Sequence, residues 1–139
     1  MVNEPKPPLT LDLTWEGELT FSGHSGDTRI VMDSRSKAGP SPMQALAFGL
    51  AGCMAIDVVN ILVKGRHPLE ALSARLVGTR AAEPPTRFVT IGLHFRVVGA
   101  VPAEAVDRAI QLSRDKYCSV WNSLRHDIDF TVTYENATA

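Results

Sequence analysis

Two thiols carry the chemistry open to this chain. Cys53 lies in the run "LAGCMAIDVV", residues 50–59, with Asp57 four residues on, one helical turn away. The only other thiol, Cys118, follows Tyr117 in "KYCSVW". A thiolate can attack a peroxide oxygen and become a sulfenic acid. A second thiol then condenses with that acid to a disulfide, which blocks irreversible over-oxidation. Each cysteine taken singly also fits a blander role as a small, inert core residue.

What surrounds Cys53 sharpens the choice. Ala45, Gly49, Cys53 and Asp57 fall four apart, with Gly52 and Ile56 beside them. A glycine inside a helix costs roughly 1 kcal/mol. Two glycines around one thiol therefore mark either tight packing of a second helix or room for a small substrate. The helix dipole does little for a sulfur several turns from the helix start, and burial disfavours a thiolate. A reactive Cys53 needs a nearby cation. Arg29 and Arg35 precede the helix, and Arg114 and Lys116 lie close to Cys118. Of the two thiols, Cys53 reads as buried, and Cys118, at a helix end, as the more accessible.

The elements that position these residues follow from periodicity. "LTLDLTWEGELTFSG" alternates with a period of two on either side of Glu16-Gly17, a hairpin, and "TRIVMD" is a third strand. Ser34–Pro40 is a polar loop. Ser41, Pro42 and Gln44 form a helix start with a capping box, and nothing breaks that helix before Gly65. "LEALSARLVGTR" and "RFVTIGLHFRVVG" flank the turn "AAEPPT" as a long hairpin, with Val89, Ile91, Leu93, Phe95 and Val97 on one face. A second helix opens at Pro102, its inner stripe being Val106, Ala109, Ile110, Ser113 and Tyr117. "SVWNSL" is a short helix or turn, and "HDIDFTVTYE" a last strand. The order is α+β, in a single domain, 1–139, with residues 1–10 as a proline-rich N-terminal arm.

Composition narrows the function classes. Net charge is −1, with no basic field to draw nucleic acid or an anionic membrane. Met43–Val63 approaches membrane-spanning length, but Gln44, Asp57 and Asn60 interrupt it, and it reads as a buried helix of a soluble protein. Such a helix is too apolar for one small sheet to cover, which points to packing across a subunit interface. Two cysteines do not make a structural disulfide framework. With His24, His67, His94 and His126 scattered, no metal is expected. Neither a phosphate-binding glycine loop nor a serine hydrolase elbow is present. The expected setting is the cytoplasm.

"SPMQALAFGLAGCMAIDVVNILVKGR", followed after a hairpin by "AIQLSRDKYCSVWNSL", resembles the OsmC/Ohr family of osmotically induced and organic hydroperoxide resistance proteins, in its OsmC-like branch. The likeness covers about residues 28–135. It implies an intertwined homodimer, with antiparallel sheets wrapped around two long central helices and active sites at the dimer interface. It further implies Cys53 as the peroxidatic thiol and Cys118 as the resolving one, without a cofactor. The substrate would be an organic hydroperoxide or hydrogen peroxide, and the reductant a dithiol or a lipoylated protein. The family's peroxidases hold the thiolate with an Arg–Glu pair. Arg29, then Arg35, match the arginine, but Met43-Gln44 stands where the carboxylate is expected, leaving Gln44 as an uncharged substitute. That departure keeps a second expectation open: a weak or inactive dimeric relative that binds a small apolar ligand at its interface.

Overall fold

The computed structural model describes residues 4–137, which form two compact units, residues up to 46 and residues from 47. Of the expected N-terminal arm, residues 1–3 lie outside the described residues, and 4–10 are exposed and carry no regular structure.

The first unit is an antiparallel sheet of β1 (Asp12–Gly17), β2 (Thr20–Ser25) and β3 (Thr28–Asp33) in that order. Its first turn falls at Glu18-Leu19, slightly later than the pattern suggests, with Gly17 taking a positive φ of 110°. Leu13, Gly23 and Ile30 lie in one cross-strand row, and Trp15, Phe21 and Met32 in the next. A Cβ on Gly23 would stand 2.8 Å from Leu13 Cδ2, so the exposed leucine tip would have to shift to admit one. The loop after β3 is organised by buried Asp33, whose carboxylate accepts the backbone N–H groups of Arg35 at 3.0 Å and Ala38 at 3.1 Å. Those bonds, Arg35's first, hold its pKa below the usual carboxylate value.

Helix α1 (Pro42–Lys64) begins in this unit with the expected capping box. Gln44 N–H donates to Ser41 Oγ at 3.2 Å, and Ser41 N–H to Gln44 Oε1 at 2.9 Å. The helix ends in a Schellman turn: His67 N–H bonds Leu62 O at 3.0 Å and Arg66 N–H bonds Val63 O at 2.9 Å. Arg66, not Gly65, takes the left-handed position, at φ 61°.

The second unit contains the rest of α1, then β4 (Leu69–Arg80), β5 (Phe88–Gly99), α2 (Ala103–Leu112) and β6 (Asp129–Ala137). β4 and β5 pair antiparallel as the hairpin predicts, but β6 runs parallel to β5. The expectation of purely antiparallel sheets is therefore corrected. The α2 crossover returns the chain to the end of the sheet where β5 began, so the next strand runs the same way. Leu50, Met54, Val58 and Leu62 of α1 join Ile91, Leu93, Phe95 and Val97 of β5 and Val106 and Ala109 of α2 in the core. The rest of α1 is less covered than a buried helix should be: Phe48 is 71% exposed and Ile56 70%.

Candidate active site

The buried stripe of α1 falls at Leu50, Met54, Val58 and Leu62. Cys53 and Asp57 each precede a member of it, so they sit half-buried at its edge. A Cβ on Gly49 or Gly52 would meet nothing within 4 Å. Within this chain the small residues around Cys53 therefore border open space, not a packed helix.

Cys118 reaches the site through a change of helical pitch. Val106, Ala109 and Ser113 are buried along the inner face of α2, as expected. At Ser113 the helix widens into a π-helical turn (Ser113–Tyr117), closed by Cys118 N–H donating to Ser113 O at 2.7 Å. The wider turn adds a residue to the repeat. It carries Tyr117 off the stripe to 49% exposure and rotates Cys118 inward to 0%. Two expectations are thus corrected: Tyr117 is not on the inner stripe, and Cys118, not Cys53, is the more buried thiol. The Cys118 sulfur accepts the Trp121 backbone N–H at 3.3 Å. Trp121 is itself stacked on His126 at 4.6 Å and packed on Phe130 at 4.4 Å between ring centroids.

The result is a three-atom cluster. The sulfurs of Cys53 and Cys118 and a carboxylate oxygen of Asp57 all lie within 4.8 Å of one another. Asp57 is anchored by Ser113, which is fully buried and donates its Oγ proton to Asp57 Oδ2 at 2.7 Å. Ser113 belongs to the inner stripe that periodicity predicts; the bond to Asp57 is not legible there, though a hydroxyl among apolar stripe positions needs a partner when buried. Burial, and then the neighbouring Cys53, push the Cys118 thiol up to about 11, against the opposing pull of the Trp121 N–H. Cys53, Asp57 and Cys118 are also the described donors near enough to share an ion. Three donors are one short of the four that a structural zinc site takes.

The remaining candidates are engaged elsewhere or lie in the first unit. Arg35 pairs with Glu18 and stands 3.7 Å from Asp33. Gln44 Oε1 accepts from Ser36 Oγ at 2.8 Å as well as from the Ser41 N–H, so its side chain serves the helix cap. Arg29 is exposed on β3. In the second unit, Arg114 lies over Phe130 at 4.9 Å and Trp121 at 5.6 Å, and Lys116 over Tyr117 at 5.3 Å.

The model of the OsmC-like protein family matches residues 34–133, a span that includes both thiols. The chain belongs to the OsmC-like family. This OsmC-like chain is 41% identical over 128 residues to protein YhfA of Escherichia coli K12, covering 90% of this chain and 96% of the relative. Among solved structures, a hypothetical protein from Aquifex aeolicus superposes with a TM-score of 0.89 at 25% identity, covering 96% of this chain and 99% of that one. A structure described as an organic hydroperoxide resistance protein OsmC from Legionella pneumophila has the same fold, with a TM-score of 0.71 at 16% identity, covering 95% of this chain and 99% of that one.

Proposed function

We propose that this OsmC-like chain is a thiol-dependent hydroperoxide reductase, and the observation that carries the reading is the pair of free sulfurs within 4.8 Å of each other. Cys53, the more accessible, attacks the outer oxygen of a small organic hydroperoxide. The S–O bond forms as the O–O bond breaks, and the alkoxide leaves as the alcohol after taking a proton. Cys118 then displaces the sulfenic oxygen as water, forming a disulfide. The sulfurs must close by less than about 3 Å to reach disulfide length, a movement within reach of side-chain rotation and the terminal turn that carries Cys118. A dithiol, free or as a lipoyl group on a protein, restores both thiols by exchange. The cytoplasm, where thiols are kept reduced, is the proposed setting.

The working form in this proposal is a homodimer. Phe48, Ile56, Val59 and Val63 are exposed along α1, more apolar surface than a helix of a solitary soluble domain leaves bare. A second copy of α1 laid on that face would cover it. A second reading, a dimer that holds a small apolar ligand, has one observation in its favour: a cleft of about 470 Å³ lined by Ala55, Ile56, Val59, Asn60, Val63 and Leu72. Turnover separates the two. The reductase consumes cumene hydroperoxide with a dithiol as electron source, and Cys53→Ser abolishes it. A wild-type rate equal to that of Cys53→Ser would overturn the proposal.

A further inference from the structure

Asp57 is the one charged residue of α1 before its terminal Lys64, and an unpaired carboxylate on an apolar helix face is costly. The fold spends a fully buried hydroxyl on it. Ser113 donates Oγ–H to Asp57 Oδ2, while its carbonyl accepts the Cys118 N–H, each at 2.7 Å. One residue thus fixes both the carboxylate and the cysteine backbone. The bond to Ser113 occupies Oδ2 and leaves Oδ1 without a hydrogen bond among the described residues. The Cys118 sulfur in turn receives the Trp121 N–H at 3.3 Å, so its own S–H faces the other two members of the cluster, Cys53 and Asp57. The carboxylate lies within 4.8 Å of both sulfurs, a span that one water bridges.

We propose that Asp57 is the proton acceptor of the resolving step, taking the Cys118 proton as that sulfur attacks the Cys53 sulfenic acid. This assignment rests on the reductase reading. The S–S bond forms and the S–O bond breaks. The Cys118 sulfur is oxidised and the sulfenic sulfur reduced, and the proton held by Asp57 passes to the departing hydroxide, which leaves as water. Asp57 ends as it began, and no outside oxidant or reductant enters. The step needs a base because Cys118 is buried as a neutral thiol. Burial pushes its pKa up to about 11, so the thiolate is scarce near pH 7.

The test isolates this proton transfer from peroxide chemistry. The reduced full chain is treated with one equivalent of Ellman's reagent, so that half-buried Cys53 carries a thionitrobenzoate mixed disulfide. Release of the second thionitrobenzoate by Cys118 is then followed by its absorbance. That leaving group departs without a proton, so the rate reports deprotonation of Cys118. Asp57→Asn is expected to slow release at least about a hundredfold, the scale of a lost general base, and Asp57→Glu to recover most of that loss. Release from Asp57→Asn at the wild-type rate would overturn the assignment. Equal slowing in Asp57→Asn and Asp57→Glu would also overturn it, because it would show that only the shape of the site matters. Sulfenic acid formation with cumene hydroperoxide is measured separately. A wild type that releases thionitrobenzoate through Asp57 but never forms sulfenic acid overturns the reductase reading alone.

Discussion

Ser113→Ala removes one hydroxyl and nothing else, which makes it a clean probe of how the site is anchored. The Oγ is fully buried and its acceptor is a carboxylate at 2.7 Å. A hydrogen bond to a charged group contributes about 1.5–3 kcal/mol. Asp57 is half-buried, so water recovers part of that when the hydroxyl is gone, and alanine's better helix propensity returns a few tenths of a kcal/mol. The net loss is about 1–2 kcal/mol, which in a chain of this size lowers Tm by roughly 3–10 °C. Urea unfolding should show a lower midpoint at an unchanged m-value. A double-mutant cycle with Asp57→Ala should return a coupling of about 1–2 kcal/mol. A coupling below about 0.3 kcal/mol would refute the claim that Ser113 holds Asp57 in place.

Two further outcomes follow from the same geometry. An unfolded Cys118 releases its proton near 9.0, whereas the buried one is held up to about 11. Between those values the native state binds the extra proton, so its contribution to stability is full below about pH 9 and is lost as pH rises toward 11. The stability difference between wild type and Cys118→Ala should therefore shrink across that window; a constant difference would contradict it. Ile56→Asp, at a position 70% exposed in the single chain, should convert a dimer to a folded monomer by size-exclusion chromatography with light scattering. A monomeric wild type would remove the basis for the interface.

Much of the frame is legible because it rests on short-range rules. The Ser41–Gln44 capping box, the β4–β5 hairpin around its proline-rich turn and the inner stripe Val106–Ala109–Ser113 each follow from residues a few positions apart. What the chain did not disclose depends on contacts between distant residues. The π-helical turn at Ser113 has no local signature, yet it decides that Cys118 faces in and Tyr117 out. The parallel pairing of β6 depends on where the α2 crossover lands. Sequence spacing ties Asp57 only to Cys53, four residues before it, because its partner Ser113 lies 56 residues away. The position of Gln44 suggests an arginine partner, but local geometry commits its oxygen to the helix cap and Ser36. The stripe Gly49–Cys53 left close packing and open space equally available, and within the chain the glycines border space.

The central claim, that Cys53 and Cys118 work as a redox pair, is tested most directly by mass spectrometry of the reduced protein after one equivalent of cumene hydroperoxide. The account predicts loss of both free thiols and a peptide pair joined through Cys53 and Cys118, while Cys118→Ser accumulates sulfenic and then sulfinic acid on Cys53. Both thiols remaining free at an excess of hydroperoxide would contradict it.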